Sequence, residues 1–60
     1  MKLYELLSKT KSDISVYDAL TNEFIRRYKA GDDKWDTTAF YPVAWVWCDE
    51  DSIGVSIVRR

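Results

Sequence analysis

Residues 40–48 read Phe-Tyr-Pro-Val-Ala-Trp-Val-Trp-Cys, and this stretch decides the fold. Successive side chains of a strand point to opposite faces, and here both faces are apolar, with aromatic rings concentrated on one of them. A strand with two apolar faces is covered on both sides, either by the rest of the chain or by a partner molecule. The stretch therefore predicts a strand with two buried faces, and either the rest of the chain or a partner molecule covers the second face.

The strand over 40–48 is followed by an acidic turn, Asp49 to Ser52, and by a second strand over 53–58, which together predict a hairpin. One register gives an aliphatic face with the pairs Cys48 and Ile53, Val46 and Val55, and Ala44 and Ile57. The same register gives an opposite face with the pairs Trp47 and Gly54, Trp45 and Ser56, and Val43 and Val58. Large rings then lie against the smallest partners, and a slip of one residue would exchange the faces and destroy this match.

The first half of the chain predicts a helix and another hairpin. Leu3, Leu6 and Leu7 recur at helical spacing between Lys2 and Lys11. Strands over 14–18 and 23–29 are joined by a short loop in which Asn22 tolerates a left-handed backbone. The predicted pairs are Asp18 with Glu23, Tyr17 with Phe24, Val16 with Ile25, Ser15 with Arg26, and Ile14 with Arg27.

The predicted fold is α+β in one domain spanning residues 1–60. A short N-terminal helix packs on a four-stranded antiparallel sheet made of two hairpins, in the order α-β-β-β-β. One sheet face is aliphatic and contains Ile14, Val16, Ile25, Ala44, Val46, Ile53, Val55 and Ile57. The helix leucines match this face best. The other face is aromatic and contains Tyr17, Phe24, Tyr28, Tyr41, Trp45 and Trp47, with Arg26 among them.

The composition argues against several classes of function. The chain has 60 residues, no histidine and one cysteine, so neither an internal disulfide nor a zinc site is expected. Cys48 is predicted to be a buried small hydrophobic residue, and no phosphate-binding loop or nucleophile elbow occurs. The sequence thus predicts a non-enzymatic protein without a cofactor.

Charge and hydropathy restrict the expected partners and location. A formal net charge of −1 gives no general attraction to nucleic acid or to an anionic membrane. No signal peptide and no run long enough to cross a membrane are recognised. A lone cysteine favours a reducing compartment, and the predicted location is the cytoplasm.

Tryptophan, tyrosine and arginine are enriched at the energetic centres of protein interfaces. The predicted partner-binding residues therefore lie on the aromatic face: Tyr17, Phe24, Arg26, Tyr28, Tyr41, Trp45 and Trp47. The partner is a target protein, a second copy of the chain, or both. In the alternative interpretation, the loop around Trp35 and Phe40 folds over the rings and closes a private core.

The charged loops predict no site. Asp49, Glu50 and Asp51 are expected to form a solvated turn, with a cation site or a hook for a basic partner as the alternatives. Asp32, Asp33 and Asp36 lack the spacing and the closing glutamate of a calcium loop.

Three segments carry a resemblance to a known group of proteins: Leu-Tyr-Glu-Leu-Leu at 3–7, Ile-Ser-Val-Tyr-Asp-Ala-Leu-Thr-Asn-Glu-Phe-Ile at 14–25, and Asp-Glu-Asp-Ser-Ile-Gly-Val-Ser-Ile at 49–57. Their layout resembles small accessory proteins from phages and prophages of Gram-positive bacteria. The resemblance implies inhibition of a host defence protein, as by anti-CRISPR proteins, and transfers no site residues. A self-assembling homo-oligomer and a small-molecule or nucleotide sponge formed between protomers remain the alternatives.

Overall fold

The structure is a computed structural model that describes residues 1–31 and 35–59. Helix α1 (Leu3–Lys9) is followed by strands β1 (Asp13–Asp18) and β2 (Phe24–Tyr28), a short 3-10 helix (Thr37–Phe40), and strands β3 (Val43–Cys48) and β4 (Ser52–Ile57). The predicted helix and four strands are confirmed. Helix α1 begins where the Lys2 N–H donates to the Glu5 carboxylate at 2.8 Å. It ends before Thr10, which has an extended backbone.

The strands form one sheet in the order β2-β1-β4-β3. Each hairpin is antiparallel, but the central strands β1 and β4 run parallel, so the prediction of a purely antiparallel sheet is wrong. Ile14 lies beside Ile53 and Val16 beside Val55 in this central pair. These two strands carry the fully buried residues Ile14, Val16, Val55 and Ile57, which fits the near-complete burial of parallel strands.

The core lies between α1 and the aliphatic face of the sheet. Its buried members come from the helix and three strands: Leu3, Ile14, Val16, Tyr28, Val55 and Ile57. Leu6 and Leu7 pack against this cluster, so the three leucines of α1 cover the aliphatic face as their spacing indicates. Neither of the two helices in the described part of the chain covers the opposite face of the sheet.

The predicted register of the second hairpin is confirmed over most of its length. Cys48 pairs with Ile53, Trp47 with Gly54, and Trp45 with Ser56. Near the start of β3 the register shifts between Val43 and Trp45, and Val43 pairs with Ile57 instead of Val58. A bulge of this kind places an extra residue, here Ala44, opposite the partner strand.

The first hairpin follows the predicted register only at its loop end. Tyr17 pairs with Phe24, and Asn22 has the expected positive φ, 62°. A bulge then shifts the pairing, so that Val16 faces Arg26 and Ile14 faces Tyr28. Because side chains alternate along a strand, this extra residue turns the remainder of β2 over.

Candidate functional site

The face of the sheet opposite α1 carries a row of aromatic side chains. Of the residues predicted for the aromatic face, the structure places Tyr17, Phe24, Trp45 and Trp47 there, and the name is used for these four from here on. Tyr17 lies on β1, Phe24 on β2, and both tryptophans on β3. The ring centroids of Tyr17 and Phe24 are 5.5 Å apart with an edge-on geometry. The centroids of Tyr17 and Trp47 are 5.6 Å apart. Three of the four rings thus form a continuous cluster that crosses the sheet.

The rings of Tyr17 and Trp47 shelter small residues of the central strands. Trp47 lies over Gly54, its partner on β4. Ser15, Gly54 and Ser56 share this face and are buried. Both rings are themselves only partly exposed. Tyr17 and Trp47 therefore cover the second side of the sheet in place of a helix.

Trp45 and Phe24 differ from these two rings in being open to solvent. The exposed fraction is 68% for Trp45 and 57% for Phe24. Large aromatic side chains this exposed, beside a partly covered ring cluster, form the kind of apolar patch that marks an interaction surface. The aromatic face thus contains two covering rings and two rings available for contact.

Residues 35–40, the described part of the segment around Trp35 and Phe40, lie on the side of α1 and not over the aromatic face. Tyr4 of α1 contacts both rings, with centroid distances of 6.3 Å to Trp35 and 5.6 Å to Phe40. Trp35 also packs against the core cluster. This segment therefore extends the cover of the aliphatic face. The alternative interpretation, in which Trp35 and Phe40 fold over the rings of the aromatic face, is therefore wrong.

Three predicted members of the aromatic face lie on the core side. Tyr28 is buried, and its hydroxyl donates to Asp36 Oδ1 at 2.6 Å. The Arg26 guanidinium lies 4.4 Å from the centre of the Tyr28 ring and donates to Asp36 Oδ2 at 2.7 Å. Tyr41 packs against the core cluster. The bulge in β2 explains the misplacement of Arg26 and Tyr28.

The contacts of Asp36 shift two pKa values in opposite directions. The hydrogen bond from Tyr28, followed by the hydrogen bond and charge of Arg26, lowers the pKa of Asp36 below its ordinary value. Burial, followed by the neighbouring Asp36 carboxylate, raises the pKa of Tyr28 above its ordinary value. Asp36 and Arg26 thus form a charged pair that fixes the chain after β2 to the sheet.

Arg27 is the arginine that the sequence interpretation missed. It pairs with Ser15 and so shares the face of Tyr17. Its Nη2 donates to Asp13 Oδ2 at 3.2 Å, and about half of its side chain is exposed. The sequence signal was present in the Arg-Arg pair, but only the bulge decides which arginine reaches the aromatic face. Arg27 and Asp13 give this face a polar rim.

The remaining candidates contribute no assembled site. Asp49, Glu50 and Asp51 are exposed at the tip of the second hairpin. Among residues 1–31 and 35–59 no cluster of acidic or cysteine side chains could hold a metal ion, and no cavity is found. Asp32 and Asp33 lie outside the described residues. No helix in the described part of the chain is long and apolar enough to cross a membrane.

Cys48 is exposed, contrary to the prediction that it is buried. It does lie beside Ile53, as expected. Strand β3 is at the edge of the sheet, however, and Val46 on the same strand is 39% exposed. The pattern of the second hairpin alone could not reveal that this strand has a neighbour on one side only.

In comparisons with known proteins, no family model, no curated protein and no solved structure matches this chain.

Proposed function

We propose that this protein acts by binding another protein through its aromatic face, without catalysis of its own. The observation that carries the proposal is the exposure of Trp45 and Phe24 beside the cluster of Tyr17 and Trp47. A rigid ring loses little conformational freedom on binding and offers a large contact area, which is why aromatic residues dominate interface energetics.

The arrangement also has the layout of a small interface. Its centre is apolar and rests on buried, close-packed strands, while Arg27 and Asp13 supply charge at its margin. Interfaces commonly combine a hydrophobic centre with a polar rim. We assign Trp45 and Phe24 to direct contact, and Tyr17 and Trp47 to the support of those contacts.

For the biological role, we propose inhibition of a host protein in the cytoplasm, in the manner of phage accessory proteins. This step rests on the resemblance of residues 3–7, 14–25 and 49–57 to such proteins. The resemblance suggests which kind of protein is bound, and the residues proposed for contact stay the same.

The proposal is tested by capture of proteins from a bacterial lysate on the immobilised chain, with a matched pair of variants. Phe24 and Phe40 have nearly equal exposure, 57% and 56%, and each contacts one tyrosine ring closely, but Phe40 lies on the side of α1. We expect a stoichiometric partner to be retained by wild type and Phe40→Ser and lost from Phe24→Ser. Equal retention by both variants, or no partner on the wild-type chain, would contradict the proposal.

A further inference from the structure

The two edges of the sheet are protected to very different degrees. On β2, Arg26 and Arg27 are paired with Asp36 and Asp13 at 2.7 and 3.2 Å. On β3, residues 43–48 carry no charge, and Trp45 and Val46 are exposed. Natural sheets usually place charges on an edge strand because its free backbone groups pair readily with another strand. Strand β3 lacks this protection.

The backbone pattern identifies which groups of β3 face outward. The Asp49 N–H donates to the Ser52 carbonyl at 2.8 Å and therefore points toward β4. Because this direction alternates along an antiparallel strand, the N–H and C=O groups of Val46 and Cys48 point away from β4. Within residues 1–31 and 35–59 no backbone group pairs with them, and they form the free edge.

The start of the same edge is already occupied by the beginning of the chain. The Val43 N–H donates to the Met1 carbonyl at 2.8 Å, and the Leu3 N–H donates to the Tyr41 carbonyl at 3.1 Å. Lys2 thus forms an isolated bridge with Pro42. The free part of the edge runs from residue 44 to residue 48, and its midpoint is Val46.

The geometry points to a second copy of this chain as the occupant of the β3 edge. The two β3 strands pair antiparallel, with Val46 facing Val46 of the second copy and Ala44 facing Cys48. This register is centred on the outward N–H and C=O groups of Val46, brings Cys48 to the bulged Ala44 at the end of the edge, and leaves residues 1–3 in place. A two-fold axis through the middle of the pair makes the contact self-complementary, as in most homodimers.

Charge complementarity at the ends of the pair favours this occupant. In the proposed register, the turn of one copy, with the exposed Asp49, Glu50 and Asp51, reaches the start of the edge in the other copy. Lys2 lies there, exposed and bridged to Pro42. The symmetry places this acidic turn beside a lysine at both ends of the interface.

The pairing also has a consequence for the aromatic face. An antiparallel edge contact places the two-fold axis perpendicular to the sheet, so both aromatic faces lie on the same side of the joined sheet. Trp45 and Trp47 of the two copies then border one continuous surface. The pairing itself uses backbone groups of β3 and stands independently of the proposed binding function.

Charge substitutions at the midpoint test the pairing by sedimentation at micromolar concentration. We expect wild type to be a dimer, and Val46→Lys and Val46→Glu to be monomers, because each places two like charges directly opposite one another. An equimolar mixture of the two variants should recover the dimer. Phe24→Lys and Phe24→Glu are the controls, since they charge the aromatic face at the other edge and should remain dimeric.

A near-isosteric substitution tests the register without adding a charge. The variant Val46→Cys in a Cys48→Ser background should form a disulfide-linked dimer on oxidation, because facing residues have Cα atoms about 5.5 Å apart. Wild-type Cys48 should not crosslink, since the two Cys48 Cα atoms would be about 14 Å apart in this register.

A monomeric wild type, dimeric Val46→Lys and Val46→Glu variants, or loss of the dimer in the Phe24 controls would overturn the inference. Equal crosslinking through Cys48 and through a cysteine at position 46 would overturn the register. The capture experiment on the aromatic face can be carried out whatever these results are. The dimer and the binding function of the aromatic face are therefore tested independently.

Discussion

The indole ring of Trp47 occupies the space above Gly54 that a side chain at position 54 would need. An added Cβ would overlap the Cε2, Nε1 and Cζ2 atoms of that ring. Gly54 is buried in β4 and pairs directly with Trp47 on β3. The glycine is therefore required for space, and the ring in turn shelters a strand position that has no side chain of its own.

Gly54→Ala tests this relationship. We expect a loss of about 1–3 kcal/mol in the free energy of unfolding, because the overlap forces the indole or the strand to move. The measurement is chemical denaturation followed by circular dichroism. In a Trp47→Leu background the same alanine should cost much less, and an equal cost in both backgrounds would contradict the proposed contact.

The two tryptophans of β3 should respond differently to truncation. Trp47→Ala should cost about 2 kcal/mol, less than a fully buried ring but well above a surface change, because it uncovers Gly54. At protein concentrations low enough to keep the chain monomeric, Trp45→Ala should change the free energy of unfolding by no more than about 0.5 kcal/mol, as for other exposed positions. Denaturation midpoints of the two variants decide the matter, and equal destabilisation would refute the division into covering and contact rings.

Acid should destabilise the fold partly through Asp36. Its pKa is lowered in the folded state by the hydrogen bond from Tyr28 and then by Arg26. The resulting stabilisation is present above the unfolded pKa of about 3.9 and is lost as the pH falls through the folded pKa. In denaturation experiments across this acidic range, Asp36→Asn should show a flatter pH dependence than wild type. An unchanged slope would mean that Asp36 does not contribute.

The loop of the first hairpin depends on a left-handed residue. Asn22 has a φ of 62°, and its N–H donates to the Asp18 carbonyl at 2.8 Å. Asn22→Val should destabilise the fold by about 1–2 kcal/mol, because a branched side chain disfavours this conformation. Asn22→Gly should be close to neutral. Thermal unfolding distinguishes the two, and equal effects would indicate that the left-handed geometry is not the cause.

Local patterns in the sequence predicted the elements and one hairpin register well. The contrast between Trp47 and Gly54, and between Trp45 and Ser56, is strong enough to fix the pairing of β3 with β4. The spacing of Leu3, Leu6 and Leu7 likewise identified the apolar side of α1, which packs against the core. In each case the pattern lies within a single helix or a single hairpin.

The failures arose from features that local patterns do not encode. One extra residue in β2 places Arg26 and Tyr28 against the core and brings Arg27 to the aromatic face. The parallel contact of β1 with β4 joins residues far apart in the chain, and it leaves β3 at an edge with Cys48 exposed. A bulge and a strand order are decided by the packing of the whole sheet, so neither hairpin could reveal them alone.

The most direct test of the central claim is the affinity of a captured partner for Trp45→Ala, measured by isothermal titration calorimetry beside wild type and Phe40→Ser. We expect Trp45→Ala to weaken binding about thirtyfold or more, as for the loss of an interface hot spot, while its free energy of unfolding stays near that of wild type. Phe40→Ser should bind like wild type. Unchanged affinity of Trp45→Ala would contradict a binding function of the aromatic face.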